Sequence, residues 1–264
     1  MTTAVFYRHF AGESLRNMAV DEWLAARASL HPGQVFLRLY TWASPTITLG
    51  MNQRAETALD PSRLGNTTVI RRVTGGRAIF HEPSELTYAV AANRLNPGTS
   101  HLEGSLRQTS EWIAAVLIRF LKRLGIESRY VRQSSATESQ RGVLHTTPCF
   151  ESVARHEIIT HSGKIIASAQ RRTRSALLQH GSIKLGGVAL HRALPGRVQR
   201  SYCALPAPFT RKQFDRAATL FAQEVGVSLE VPVTMARLNA EALREIQKRE
   251  RDLKENPLAR RTFL

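Results

Sequence analysis

Apolar residues recur with helical spacing along 15–29 (LRNMAVDEWLAARAS): Leu15, Ala19, Trp23 and Ala26 fall on one face, with Met18 beside it. The next run, VFLRLYTW (35–42), alternates and is rich in β-branched and aromatic residues, which predicts a strand. SPTITLG (44–50) predicts a second, shorter strand closed by Gly50. TTVIRRVTGGRAIFHEPSELTYAVAAN (67–93) reads as strand, glycine turn, strand, loop, strand. The clearest helix covers 105–124. SLRQ opens it with a capping box of Ser105 and Gln108, Ile113, Val116, Leu117, Phe120 and Leu124 line one face, and Gly125 stands where a helix-ending residue belongs.

The segment 132–142 (RQSSATESQRG) is almost free of apolar side chains and predicts an exposed, mobile loop. Two or three strands are expected over 157–185, and a helix over 210–226 with Thr210 and Gln213 as a second capping box. A charged helix is expected over 239–255, its charges on a solvated face. No repeat or low-complexity stretch interrupts this order. The uneven alternation of strands and helices points to an α+β fold, with mixed, largely antiparallel β-sheets flanked by helices rather than a regular doubly wound sheet. We expect one domain over 1–264, with 239–264 as a charged C-terminal helix or tail.

Composition changes the picture in two ways. Hydrophobic residues make up 42% of 264 residues, enough for a sizeable core. No apolar run approaches the ~20 residues of a membrane helix, and the N-terminus lacks a secretory pattern, so a cytoplasmic chain with no membrane partner is expected. The formal net charge is +16. Such a field draws anionic partners, nucleic acid or acidic proteins alike. The basic residues are spread along the chain without a nucleic-acid-binding motif, so nucleic acid is not the expected partner.

Candidate chemistry centres on the two cysteines, Cys149 and Cys203, which have no metal-ligand spacing, so no metal site is expected. A cysteine acts as a nucleophile only as thiolate, and needs a cation or base nearby. Lys164, in SGKIIASAQ, is an unusual charge in a segment apolar enough to be buried. Strict alternation would put Lys164, Ile166, Ser168 and Gln170 on one side of a strand. From these residues alone, Cys149 reads either as a small core residue or as a thiolate paired with Lys164. His180, in LQHGSI, stands as a competing partner, ahead of His145, His156 and His161. The Gly75–Gly76 pair reads either as a hairpin turn or as a loop whose backbone approaches a ligand.

Four blocks resemble the biotin/lipoate protein ligase and octanoyltransferase superfamily: NMAVDEWL (17–24), LYTWASPTITLGMNQ (39–53), RRVTGGRAIFHEPSELTYAV (71–90) and PCFESVARHEIITHSGKIIASAQRRTRSALLQHGSI (148–183). Within it, three features are similar to the octanoyl-carrier-protein:protein N-octanoyltransferases of the Gram-positive type. Arg77 stands where ATP-dependent lipoate ligases usually carry a third glycine. A cysteine precedes the GKIIASAQ lysine. The length beyond the last block leaves no room for the extra C-terminal domain of the large lipoate ligases. The resemblance implies that superfamily's catalytic-domain fold, with Cys149 as acyl-thioester nucleophile and Lys164 as the residue that lowers its pKa. It also implies an acyl pocket lined by Arg72, Thr74, Gly75, Gly76, Arg77 and His81 and supported by Ser168, Gln170 and His180. Cys203 matches no site and is expected to be structural.

The implied reaction moves octanoyl from the phosphopantetheine arm of acyl carrier protein to a lysine of a lipoyl domain. The expected acceptor is the glycine-cleavage H protein or a 2-oxoacid dehydrogenase E2, and no cofactor of the enzyme's own is expected. The rivals are an amidotransferase acting between lipoyl domains, an ATP-dependent lipoate ligase, and a non-enzymatic basic binding protein. Arg71 and Arg171 are expected at the surface, steering acidic partners.

Overall fold

The computed structural model describes residues 2–83, 85–95, 100–131, 157–185, 191–195 and 210–259. Cys149, Cys203, His145, His156 and the 132–142 segment lie outside them.

The strands are β1 (Thr3–Gly12), β2 (Gln34–Trp42), β3 (Thr46–Leu49), β4 (Thr68–Arg71), β5 (Ile79–His81), β6 (Leu86–Asn93), β7 (Arg129–Val131), β8 (Glu157–Thr160), β9 (Gly163–Arg172), β10 (Ala176–Ile183) and β11 (Val233–Met235). The helices are α1 (Ser14–Leu30), the short α2 (Ala55–Ala58) and α3 (Ser100–Glu103), α4 (Leu106–Arg123), α5 (Arg211–Leu229) and α6 (Ala240–Glu255). Among the described residues, eight strands form one sheet in the order β11-β1-β2-β6-β10-β9-β8-β7, and three form a second in the order β4-β3-β5. In the large sheet β1 runs parallel to β2 and β11, and every other pairing is antiparallel. The α+β class with mixed, largely antiparallel sheets is therefore observed.

Each face of the large sheet carries its own core. On one side Phe6, Leu37, Tyr88, Val90, Leu177 and Ile183 pack against Ile113, Leu117 and Phe120 of α4 and Phe214 and Phe221 of α5. Both helices start with the expected capping boxes, Ser105 with Gln108 and Thr210 with Gln213. On the other side Tyr7, Phe36, Tyr40 and Trp42 meet Met18, Trp23 and Leu24 of α1. Ala242, Ile246 and Leu253 of α6 belong to this second core. The terminal helix thus has an apolar stripe as well as a charged face.

Three local expectations change. First, β4 and β5 do not pair with each other, because β3 lies between them, parallel to β4 and antiparallel to β5. The glycine pair therefore sits in a connection across the small sheet, not in a hairpin. Second, Arg71 is not a surface arginine: it is 8% exposed. Its Nη1 donates to the carbonyls of Gly50 (2.8 Å) and Gln53 (2.5 Å), and its Nε donates to that of Leu258 (2.6 Å). Arg171 is half-buried and donates to the Val73 carbonyl at 2.9 Å.

Third, β9 does not alternate strictly. Ile158 of β8 faces Ile166, and the next residue, Ile159, faces Lys164. Ile165 is the extra residue of a β-bulge, and a bulge re-aims the side chains beyond it. Ile165 and Ile166 both enter the core under α4 and α5. Directly opposed residues share a face, and Ile159 alternates away from Ile158. Lys164 therefore sits on the opposite face from Ile166, the face that carries Ala167, Ala169 and His180.

Candidate active site

Between that face, α1 and the inner side of the small sheet lies a small pocket. The large sheet contributes Tyr40, Thr87, Ala169, His180, Gly181 and Ser182, α1 contributes Met18, and the small sheet and its connection contribute Thr48, Arg72, Ile79 and His81.

Two histidines face it, each aimed by a buried carboxylate. His81 Nδ1 meets Glu85 Oε1 at 2.6 Å, and its Nε2 meets Thr48 Oγ1 at 2.8 Å. His180 Nδ1 meets Asp21 Oδ2 at 2.8 Å, and its Nε2 meets Thr74 Oγ1 at 2.6 Å. A carboxylate only accepts, so both Nδ1 atoms carry a proton. Burial holds His81 below the usual histidine range, outweighing the pull of Glu85, so the ring is neutral at pH 7 and its Nε2 accepts from the Thr48 hydroxyl. The His81 ring also stacks on Trp42 with centroids 4.1 Å apart.

The carboxylates are neutralised from behind. Asp21 Oδ1 accepts from Arg38 Nη1 at 2.7 Å, with both side chains 1% exposed, and Tyr40 Oη donates to Asp21 Oδ2 at 2.9 Å. Burial alone would raise Asp21, but Arg38 and then His180 outweigh it and hold it below the usual range. Glu85 Oε2 pairs with Lys184, whose Nζ also donates to the Phe80 carbonyl at 2.5 Å. Burial pushes the Glu85 carboxyl up, but the Lys184 ammonium and His81 prevail and bring it to about 2.

The glycine connection forms one wall. Arg72 Nη2 donates to the carbonyls of Gly75 (2.7 Å) and Arg77 (2.8 Å), and its Nη1 donates to that of Thr48 (2.9 Å), so one guanidinium ties the turn to β3. Gly76 has φ of 90°, where glycine is favoured. Gly50 must also be glycine, since a Cβ there would lie 1.9 Å from the Gly76 carbonyl oxygen.

Of the residues proposed from sequence, the fold brings Arg72, His81 and His180 into the cavity wall, with Thr74, Gly75, Gly76 and Arg77 held directly behind or beside it. Ser168 and Gln170 lie on the other side of the sheet. Ser168 Oγ is 2.8 Å from Tyr88 Oη, and Gln170 Nε2 donates to Gln179 Oε1 at 2.7 Å. Lys164 stands on the cavity's face, roughly 10 Å along β9 from Ala167 at ~3.3 Å per residue. It is 1% exposed and ion-paired with Glu157. Cys149 is outside the described residues.

Sequence reasoning passed over Asp21, Arg38, Glu85, Lys184, Thr48 and Glu157. A usable signal existed for some of them. Asn17 and Asp21 are polar residues one helical turn apart in an otherwise apolar stretch, and Lys184 is a lone charge after an apolar strand, the same cue that singled out Lys164.

The octanoyltransferase LipM of Kyrpidia tusciae is 35% identical over 176 residues, covering 66% of this chain and 63% of the relative, so the chain spans less than two thirds of that relative. The octanoyltransferase LipM of Carboxydothermus hydrogenoformans is 36% identical over 217 residues, 80% of this chain and 77% of the relative. Among solved structures, LipL1 of P. falciparum in complex with lipoate superposes with a TM-score of 0.66 at 15% identity, over 99% of this chain and 74% of that one. The bipartite lipoate protein ligase of Thermoplasma acidophilum gives 0.65 at 13% identity, over 99% and 98%. These two likenesses establish the fold. The sequence description of the lipoyl protein ligase A/B catalytic domain matches residues 13–202, and the chain belongs to that family.

Proposed function

We propose that this protein is an octanoyltransferase of lipoate assembly. It would take octanoyl from the phosphopantetheine thioester of acyl carrier protein and pass it, through a thioester on Cys149, to a lysine of a lipoyl domain. The observation that carries this reading is Lys164, a buried ammonium turned by a bulge onto the cavity's face of the sheet, in a chain whose relatives include octanoyltransferases.

In the first step the Cys149 thiolate attacks the thioester carbonyl, a new carbon–sulfur bond forms, and the bond to the carrier sulfur breaks. The departing carrier thiolate takes a proton from Lys164. In the second step a neutral acceptor lysine attacks the acyl carbon, the bond to Cys149 breaks, and the amine proton passes to Lys164. Ammonium and thiolate are both restored. Glu157 stands beside Lys164 and pairs with it in its ammonium form, before the first step and after the second. The thioester is already activated, so the reaction requires no ATP and no cofactor of the enzyme. The glycine-cleavage H protein and an E2 lipoyl domain are the acceptor candidates; the Thermoplasma ligase belongs to a lipoylation system described together with its E2 lipoyl domain.

Intact-mass measurement after mixing with octanoyl carrier protein tests the reading. The expected result is one octanoyl adduct, absent in Cys149→Ala. Full activity of that variant, with ATP consumed, would replace the reading with a ligase.

A further inference from the structure

Among the described residues, the hydroxyls around the cavity are committed to other groups, with one exception. Thr48 donates to His81 and accepts from Arg72 Nη1 at 3.2 Å. Thr87 Oγ1 donates to Glu85 Oε1 at 3.0 Å and accepts from Trp42 Nε1 at 2.9 Å. Tyr40 donates to Asp21 and Thr74 meets His180. Ser182 differs. It is 1% exposed, it lines the cavity, and its Oγ has no hydrogen-bond partner among the described residues. It stands on β10 between His180 and Lys184, opposite Ala167 on β9 and Thr87 on β6, whose alternation gives it the cavity's face. A buried hydroxyl without a partner costs stability, and natural sequences retain such a cost where a ligand relieves it.

We propose that Ser182 is a substrate-contacting residue whose hydroxyl donates to the carbonyl oxygen of the acyl group. The inference rests on the octanoyl-transfer reading and adds to it where the acyl head lies. A straight acyl chain offers one hydrogen-bonding atom, its carbonyl oxygen, and Ser182 is the cavity hydroxyl with a donor to give. The hydrogen bond polarises the carbonyl for attack and holds the acyl head against β10, with the chain beside the apolar surfaces of Met18, Ile79 and Ala169.

The test uses the full-length protein and a ketone analogue of octanoyl-pantetheine, in which CH2 replaces the thioester sulfur so that no transfer occurs. Its carbonyl carries 13C, and infrared difference spectra report the C=O stretch. In the wild type the bound band should lie at lower wavenumber than for the analogue in an apolar solvent. In Ser182→Ala that shift should be lost and binding should weaken roughly fivefold, the scale of one neutral hydrogen bond. The melting temperature of this variant should hold or rise, because an unsatisfied hydroxyl has been removed. Ser182→Cys, similar in size but a weak donor, should give an intermediate band. An unchanged band and affinity in Ser182→Ala would overturn the assignment, as would a lower melting temperature with the band unmoved, which marks a structural hydroxyl. If the octanoyl adduct forms on Cys149 and the analogue binds, such a result sinks the serine assignment alone. If the wild type neither acylates nor binds the analogue, the octanoyl-transfer reading fails with it.

Discussion

Lys184 and Glu85 form an ion pair in which both side chains are 0% exposed. Two charges so far from water are tolerated because each neutralises the other, and His81, Thr87 and the Phe80 carbonyl supply further hydrogen bonds. Removing one partner strands the other. Lys184→Met is expected to cost about 3–5 kcal/mol in urea unfolding, whereas the double change with Glu85→Leu should cost clearly less than the sum of the two single changes. Additive costs would mean that the pair is not coupled. Acid acts on this network and on the separate one around Arg38 and Asp21. His9 accepts from Arg38 Nε at 3.1 Å, and burial, then Arg38 and Arg16, lowers it from 6.5 to about 3. The unfolded chain therefore binds that proton first, and stability present above pH 6.5 is lost as pH falls toward 3; His81, also lowered by burial, acts in the same direction. Glu85, lowered from 4.5 to about 2, adds a contribution that is present above pH 4.5 and is lost between 4.5 and 2. Urea midpoints should fall in these two stages, and His9→Gln should flatten the first. A midpoint flat from pH 7 to 4 would contradict the histidine contribution.

At the scale of elements, the connection between β4 and β5 shows how backbone geometry shapes the cavity. Gly76, at φ of 90°, would place a Cβ 2.9 Å from Arg72 Nη2, and that guanidinium is already tied to three carbonyls. Gly76→Ala should therefore cost about 1–3 kcal/mol and slow acylation, from strain together with displacement of Arg72. Gly75→Ala meets nothing within 4 Å and should be close to neutral for folding. Urea unfolding of the two variants side by side checks the contrast; equal effects would remove the argument from Gly76 geometry. The C-terminal helix belongs at this scale too. The Pro257 carbonyl accepts from Arg71 N at 2.7 Å, and Arg71 in turn holds the Gly50–Gln53 loop against the glycine turn. Arg71→Lys loses the fork that reaches these carbonyls together. It is expected to raise KM for acyl donor more than it lowers kcat, measured in steady-state acyl transfer.

At the scale of the whole molecule, the excess of 37 basic over 21 acidic residues gives a field rather than a site. Among the described residues no helix is long and apolar enough to cross a membrane. If an acidic carrier or lipoyl domain is the partner, association should slow by roughly tenfold between about 10 and 150 mM salt, as stopped-flow rates would show. Rates independent of salt would remove steering from the account. Arg71 does not belong to that steering surface, because its guanidinium is spent on backbone carbonyls inside the fold, and Arg171 is half-buried with one Nη donating to the Val73 carbonyl.

How much of this was legible from sequence alone follows the range of the interactions involved. Helix caps depend on residues three apart, and strand patterns on neighbours two apart, so both capping boxes, the apolar face of α4 and the strands from β2 to β6 and from β8 to β10 could be read along the chain, whereas β1, β7 and β11 were not, and α1 is buried on more sides than its Leu15–Ala19–Trp23–Ala26 face predicts. The candidacy of Lys164, Arg72, His81 and His180 was legible too, through motif resemblance. What only the tertiary structure decided involves partners far apart in the chain. The insertion of β3 between β4 and β5, the pairing of Glu85 with Lys184 and of Asp21 with His180, and the placing of Ser168 and Gln170 away from the cavity all depend on sheet register. A single extra residue at Ile165 reverses the face that Lys164 occupies, and no local pattern announces it, because a bulge is selected by the packing on both sides of the sheet.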